Sequence, residues 1–469
     1  MSDKLKMSAS ERIACLLDDA SFVEIGSEVT SRTTDFNTQS LDAPKDGVVT
    51  GYGQIDGRLV YVYSQDSAVL GGAIGEMHGK KIAAIYSLAM KVGAPVIGLI
   101  DCAGLRLQEA TDSLHSFGSL FKKSTMASGI IPQITVIFGN SGGGTSILAA
   151  LSDFTYMVDS AKLFVNSPNA IKGNYEEKCD TASAAFVSGN TSLVDEVCES
   201  DEDALRKVRN LVTYLPANNM EDAFGDCEDD INRTIPNIAD YKDDARKVAE
   251  CIADDSMVIE SKKDFGKDVF TGLIRIGGVT VAVIGNQERL ISPDGASKAA
   301  SFVNLADSFN IPILTLTNVK GFEASFESER TIAKETAKLT VALADATVPK
   351  VNVIIGDAFG SAYIVMNSKS IGADIVYAWP SAKVGITDPQ VAAEIIYADE
   401  IDASTDKVEV IKNYADKISK EQSDAKAVAR RGYIDDIIEP DATRKRVFAA
   451  FDMLATKRED RPYKKHMAF

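Results

Sequence analysis

Histidine is nearly missing from this chain. Three occur in 469 residues: His78, His115 and His466. Most zinc sites and most serine or cysteine nucleophile sites need an imidazole, so three scattered ones leave little room for either. None of the six cysteines is spaced C-x-x-C, which removes a redox or zinc-knuckle signal. No apolar run approaches the roughly 18 residues of a membrane span. The opening stretch MSDKLKMSAS has no apolar signal-peptide core. Basic charge is also short: 50 Lys and Arg face 68 Asp and Glu, a formal charge of -18. That field repels duplex nucleic acid and anionic membranes. The expectation is a reduced, cytoplasmic protein with no metal and no nucleic-acid partner. Its chemistry must come from backbone dipoles, carboxylates or a borrowed cofactor.

What the chain does have is an internal repeat. RIACLLDDASFVEI (12–25) is answered by RKVAECIADDSMVI (246–259), each an amphipathic helix, an Asp-Asp pair and a short apolar strand. TGYGQIDGRLVYV (50–62) is answered by TGLIRIGGVTVAV (271–283), and VGAPVIGLID (92–101) by NIPILTLTNV (310–319). IPQITVIFGNSGGG (131–144) is answered by VPKVNVIIGDAFGS (348–361), and SAKLFV (160–165) by SAKVGI (381–386). Five matches in one order and at nearly constant spacing predict two copies of one domain. The junction falls in the acidic stretch 220–244, giving domains 1–225 and 226–469. Apolar β-rich runs alternate with helical segments in each copy, which predicts an α/β fold with much parallel pairing. The charged segment 399–430 has no counterpart in the first copy and reads as an added helical arm.

The chemistry is best placed at two strand-to-helix turns. Ile134–Phe138 runs into Gly139-Asn140-Ser141-Gly142-Gly143-Gly144, and Val351–Ile355 runs into Gly356-Asp357-Ala358-Phe359-Gly360-Ser361-Ala362. Small residues let a ligand approach the backbone. The first amides of the next helix lack intrahelical acceptors, and the helix dipole adds positive potential. Each turn is a candidate anion pocket, suited to a thioester oxygen becoming an enolate. Glycines that merely pack helix on strand are the plain alternative, weaker for two turns at matching repeat positions.

Two local motifs compete. Gly139-Asn140-Ser141-Gly142-Gly143 fits the G-x-S-x-G nucleophile elbow, but that arrangement needs an acid and a histidine further on, and only His466 follows. Ala89-Met90-Lys91 resembles a biotinylation context, yet Lys91 ends a helical segment, where a cation simply suits the dipole. Two clusters are less specific. Gly71-Gly72-Ala73-Ile74-Gly75 leads to Lys80 and Lys81, a candidate phosphate loop. Asp101-Cys102-Ala103-Gly104-Leu105-Arg106 follows a buried strand, with Arg106 free to meet a phosphate or Glu109.

Several longer stretches carry a resemblance. They include DGVVTGYGQIDGRLVYVYSQD (46–66), LGGAIGEMHGKKI (70–82), SGIIPQITVIFG (128–139), ATVPK (346–350), AYIVMNSK (362–369), GADIVYAWPSA (372–382), RGYIDDIIEP (431–440) and TKREDRPYKKH (456–466). Over nearly its whole length the chain resembles the carboxyltransferase (beta) subunits of biotin-dependent acyl-CoA carboxylases of the propionyl-, acetyl- and methylcrotonoyl-CoA type. It equally resembles the related alpha subunits of methylmalonyl-CoA and glutaconyl-CoA decarboxylases. The resemblance implies a tandem duplication of a crotonase-like domain, acyl-CoA on the first domain and biotin on the second. It implies a hexamer, a trimer of dimers. Partners would be a biotin carboxyl carrier protein with biotin carboxylase, or a membrane decarboxylase pump subunit. Biotin would ride on the carrier rather than on this chain.

By the same resemblance Gly143 and Gly144 hold the thioester enolate, and Ser361 and Ala362 the biotin ureido oxygen. Gly71, Gly72, Ala103, Gly104, Arg106 and Lys122 line the acyl-CoA side; Gly360, Tyr363 and Ile364 line the biotin side. No protein base is required, because the cofactor carries the hard step. This sequence departs from the family at several points. The first turn reads S-G-G-G-T rather than C-A-G-G-A, and Ser361 replaces a glycine. Segment 318–339, NVKGFEASFESERTIAKETAKL, lacks the family's proline, glycines and histidine. Two other readings therefore stay open: a biotin-independent crotonase-like enzyme and a non-catalytic CoA-binding subunit. An anionic CoA also needs a basic spot, with Lys80, Lys81, Arg106, Lys122 and Lys123 as candidates.

Overall fold

The computed structural model describes residues 6–34, 43–172 and 180–461. The chain divides into two compact units, Met1–Ala223 and Phe224–Phe469. No helix among the described residues is long and apolar enough to cross a membrane.

The first unit contains α1 (Ala9–Leu16), β1 (Val23–Glu24), β2 (Val48–Ile55), β3 (Arg58–Gln65), α2 (Glu76–Val92), β4 (Val96–Cys102), α3 (Ala110–Ala127), β5 (Gln133–Gly142) and α4 (Gly144–Ala150). It continues with β6 (Phe154–Val158), β7 (Lys162–Phe164), α5 (Ala184–Asn190), β8 (Glu196–Cys198) and α6 (Asp201–Tyr214). One mixed sheet runs β1-β2-β3-β4-β5-β6-β8, and β7 joins the end of β5. The pairs β1/β2 and β2/β3 are antiparallel, and from β3 onward the ladder is parallel. Every residue of β4 is buried, as expected of a central parallel strand under helices. Ile82, Ile85 and Tyr86 of α2 and Phe117 and Leu120 of α3 share a core with Val96 and Ile100 of β4. Helix α2 ends at Gly93, which takes the left-handed conformation at φ 68°. Lys91 sits in that last turn, where its charge suits the dipole.

The second unit repeats the plan with α7 (Ala245–Ile252), β9 (Val258–Glu260), β10 (Val269–Ile276), β11 (Val279–Asn286), β12 (Leu290–Ile291), α8 (Pro293–Ser308), β13 (Ile313–Val319), β14 (Gly321–Phe322), α9 (Ile332–Asp345) and β15 (Lys350–Phe359). Then come α10 (Gly360–Val365), β16 (Ile375–Ala378), β17 (Lys383–Gly385), α11 (Pro389–Ile396), α12 (Ala398–Ala403), α13 (Lys407–Ile418), α14 (Ala425–Ala429), β18 (Asp436–Ile437) and α15 (Thr443–Leu454). Its sheet runs β9-β10-β11-β13-β15-β16-β18, with β17 on the end of β15. Even the irregularities recur. The β4/β5 ladder slips between Ile100 and Cys102, and the β13/β15 ladder between Thr317 and Val319. Phe224 and Gly225 pair with Val279 and Gly278 and so belong to the second unit. The charged arm is helical, formed by α12, α13 and α14.

The repeated Asp-Asp pair has a structural cause. Asp18 accepts the amides of Asp56 and Gly57 at 3.1 and 2.9 Å, closing the β2–β3 hairpin turn. Asp254 accepts those of Gly277 and Gly278 at 2.9 and 2.8 Å, closing the β10–β11 turn. An arginine from each unit's last helix holds the aspartate. Arg209 reaches Asp18 and the Leu16 carbonyl, both at 2.8 Å. Arg444 reaches Asp254 and the Ile252 carbonyl, both at 2.6 Å. Each device ties the first helix, the hairpin and the last helix of its unit together.

Candidate active site

The first turn is set by pairing that the sequence does not display. Strand β5 continues through Asn140, Ser141 and Gly142, because β7 pairs with those three residues. The expected glycine-rich loop is therefore mostly strand. The turn proper is Gly143, at φ 60° and ψ -126°, a conformation that L side chains rarely adopt. Its amide donates to the Phe164 carbonyl at 2.9 Å. Its carbonyl accepts from Ser146 Oγ at 2.7 Å. Helix α4 starts at Gly144, so the amides of Gly144 and Thr145 have no intrahelical acceptor. A Cβ on Gly144 would meet the Phe117 ring at 2.8 Å, while one on Gly143 would meet nothing within 4 Å.

Two neighbouring loops lie beside this turn. Gly71 and Gly72 have φ of 66° and 64°, and a Cβ on Gly72 would overlap the Asp101 carbonyl oxygen. The amide of Ala103 donates to Gly71 at 2.9 Å, and that of Ile74 to Gly104 at 2.9 Å. A Cβ on Gly104, at φ 106°, would sit 3.6 Å from the Gly142 carbonyl oxygen. The structure thus gathers Gly71, Gly72, Ala103, Gly104, Gly143 and Gly144. Arg106 joins them differently from expectation. It is 3% exposed, and its guanidinium turns inward to Asp46, Glu109 and the Ala73 carbonyl. Lys122 is exposed on α3, and no hydrogen bond or ion pair among the described residues draws it to these loops.

The second turn repeats the first. β17 pairs with Asp357, Ala358 and Phe359, and Gly360 follows at φ 61°. A Cβ there would lie 3.2 Å from the Ile386 carbonyl oxygen. By ladder position Gly360 corresponds to Gly143, so Ser361 and Ala362 correspond to Gly144 and Thr145. Ser361 is exposed and Ala362 buried. Ile364 is 41% exposed. Burial pushes the Tyr363 phenol up to about 12, so it stays protonated.

Residues 2–469 match the carboxyl transferase domain family. The chain belongs to that family. It is 40% identical to the methylmalonyl-CoA decarboxylase subunit alpha of Propionigenium modestum, across 98% of this chain and 92% of that one. It is also 40% identical to the propionyl-CoA carboxylase beta chain of Roseobacter denitrificans, across 98% and 93%. Among solved structures it is similar to a transcarboxylase 12S hexamer with hydrolysed methylmalonyl-coenzyme A bound. There the TM-score is 0.93 and the identity 34%, over 98% of this chain and 92% of that one. The fold is accordingly the crotonase-like one, in two copies.

In this carboxyl transferase His78 is not placed for catalysis. His78 is fully buried, with its ring against the Asp46 carbonyl at 2.8 Å and Gln65 at 3.1 Å. Burial, helped by the nearby Arg106 and Lys81 charges, lowers its pKa to about 3, so it stays neutral. His115 is exposed on α3, and His466 lies outside the described residues. The Ser141 Oγ is buried with no hydrogen-bond partner among the described residues, so none of them stands as the base of a nucleophile elbow. The lysines of α2 have protein partners of their own. Lys80 pairs with Glu76 at 2.6 Å, and Lys81 points inward to the Lys45 and Val48 carbonyls.

The divergent segment 318–339 of the carboxyl transferase folds into β14, a short helical turn at Ser328–Arg330 and the start of α9. Where the family has proline, Lys320 stands 3.7 Å from Asp357 and 3.5 Å from Asp388. Phe326 is 78% exposed, with the Arg330 guanidinium 5.1 Å from its ring centre. Sequence reasoning missed Asp46 and the Thr145 amide around the first turn, while Glu109 was one of the two partners read for Arg106.

Proposed function

We propose that this carboxyl transferase moves a carboxyl group between biotin on a partner carrier protein and the α-carbon of a short-chain acyl-CoA of the propionyl- or methylmalonyl-CoA type. The observation that carries the reading is the pair of equivalent turns, each a positive-φ glycine followed by helix-start amides. As the α-proton leaves, negative charge grows on the thioester oxygen. The amides of Gly144 and Thr145 are the donors for it, held in place by Gly143, and each such donor contributes about 3 kcal/mol. Gly71, Gly72 and Gly104 offer backbone without side chains, and Ala103 only a methyl, along the acyl-CoA path. Lys122 is the exposed cation assigned to the CoA phosphates.

The second turn suits biotin. Gly360 leaves open the space beside the Ile386 carbonyl that a Cβ would crowd, and the exposed Ile364 and Ile386 give apolar surface for a bicyclic ring. The amides of Ser361 and Ala362 would hold the ureido oxygen. When bound, biotin would supply both the carboxyl group and, once that group has left, the ureido acceptor for the α-proton, so the protein needs no base, in keeping with a buried, weakly basic His78. A hexamer, as named for the transcarboxylase, and a cytoplasmic setting with a biotin carboxylase complete the reading. A second reading, favoured by the Propionigenium relative, is the carboxyltransferase part of a membrane decarboxylase pump, with the same site run in reverse.

Decarboxylation of methylmalonyl-CoA by the purified protein, with and without free biotin, tests the proposal. Turnover that requires biotin is expected. Turnover without biotin would replace it with a biotin-independent crotonase-like enzyme. No turnover of methylmalonyl- or malonyl-CoA under either condition would favour a non-catalytic CoA-binding subunit.

A further inference from the structure

We propose that Arg106 is a positioning residue that locks the two acyl-CoA loops together, rather than a ligand of CoA phosphate or a general support of the fold. The inference rests on the acyl-CoA assignment made for the first unit. Arg106 gathers four segments. Its Nη1 donates to Asp46, just before β2, and to Glu109 at 2.7 Å. Its Nη2 donates to the Ala73 carbonyl at 2.8 Å, in the loop that follows Gly71 and Gly72. Its own carbonyl accepts from Ser113 Oγ of α3 at 2.8 Å. The two acids extend the lock into α2: Glu109 accepts the Glu76 amide at 2.6 Å, and Asp46 accepts the His78 amide at 2.7 Å. Arg106 and its two acids are at most 3% exposed. Interactions between charges this dry are strong, and breaking one partner leaves the others buried and unpaired.

The second unit shows that the fold does not need this lock. There the same backbone contact is made, because the Glu323 amide donates to Ile291 at 2.9 Å as the Arg106 amide does to Ile74 at 3.0 Å. The residue in the place of Arg106 is therefore Glu323, a carboxylate. The position of Asp46 is taken by Lys267, because Val269 pairs with Asn286 as Val48 does with Gln65, and the next residue, Asp268, binds Ser292 at 2.7 and 2.6 Å instead. Two copies of one domain build the same turn, and only the copy assigned to acyl-CoA carries the arginine. Its separate purpose is to fix the backbone of Gly71–Gly72 against Ala103–Gly104, the surface a thioester must meet. Positioning of this kind is lost with shifts of about 1 Å.

Gly75 supplies an independent way to disturb the lock. A Cβ there would meet the Glu109 carboxylate at 2.5–2.6 Å and Arg106 Nη1 at 2.6 Å. Gly75 has φ -107°, which any residue adopts, so Gly75→Ala acts through the ion pairs and not through backbone strain. Steady-state decarboxylation with free biotin is measured for Gly75→Ala, Arg106→Lys and the unaltered full-length protein, alongside thermal melting. The expected result is a KM for methylmalonyl-CoA raised roughly tenfold in both variants, with the KM for biotin within about twofold of the parent. Acyl-CoA KM values within twofold of the parent in both variants would overturn the inference. So would equal increases in the two KM values, or a kcat that falls only in step with lost folded protein, since these mark a purely structural role. A parent protein that fails to turn over methylmalonyl-CoA would instead refute the functional reading on which the inference rests. Isothermal titration with coenzyme A then decides the lock: a roughly tenfold weaker Kd in both variants supports it, and an unchanged Kd overturns it.

Discussion

The two units share a topology and a sequence pattern but spend their charges differently. In the first, the dry ion network lies beside the glycine turn, where Asp46, Arg106 and Glu109 are at most 3% exposed. In the second, the dry network lies at the opposite task, holding the hairpin, where Arg444 is 0% and Asp254 6% exposed. Their counterparts are reversed: Glu323 stands where Arg106 would be, while Arg209 and Asp18 are 26% and 28% exposed. Duplication copies a backbone, and burial then decides which copy of a device carries weight.

The largest expected effect tests whether the turns have different ligands. Gly144→Val pushes a side chain into Phe117 and over the first turn. It should lower kcat for methylmalonyl-CoA decarboxylation by on the order of a hundredfold or more. Ser361→Pro deletes one amide in the first turn of α10, where proline is tolerated. It should raise the KM for free biotin and leave the affinity for coenzyme A, read by titration, unchanged. A loss of coenzyme A affinity in Ser361→Pro would break the division of labour between the units.

The hairpin devices should differ next. Asp254→Ala leaves the buried Arg444 with Asp229 at 3.3 Å as its remaining acid and frees the two turn amides, and is expected to cost about 3 kcal/mol. Asp18→Ala, with a hydrated Arg209, should cost about 1 kcal/mol. Trp379 is the only tryptophan, and it is buried in the second unit with Nε1 on Thr443 at 3.0 Å. Its fluorescence should therefore follow the Asp254→Ala melt and stay nearly unmoved by Asp18→Ala. Equal costs by circular dichroism would show that burial does not separate the two devices.

A further difference is a pH slope. Asp153 accepts the Gln133 amide at 2.8 Å, and burial, with Asp195 nearby, raises its pKa from 3.8 to about 7. The matching Asp374 accepts the Lys350 amide and also pairs with Lys457, both at 2.8 Å. A carboxyl raised on folding binds its proton more tightly in the folded state. Its stabilising contribution is full below pH 4 and is lost as pH rises through 7. Asp153→Asn should flatten the stability profile between pH 4 and 7. Parallel profiles for the parent and Asp153→Asn would remove this distinction.

The sequence by itself determined the duplication, the α/β alternation, the two glycine turns and the scarcity of histidine. These are local signals: periodicities, glycine runs and a residue count, each readable within a few positions. Only the tertiary structure decided that the glycine-rich run is strand as far as Gly142, because β7 arrives from further along the chain to pair with it. Likewise it turned Arg106 from a candidate phosphate ligand into an internal clasp, through a carboxylate 60 residues away. It also showed that the Asp-Asp motif holds a hairpin, through an arginine 190 residues from Asp254. A side chain's charge is written in the sequence. Whether that charge faces water or another buried charge depends on which distant segment folds over it, and that sets its energy and its task.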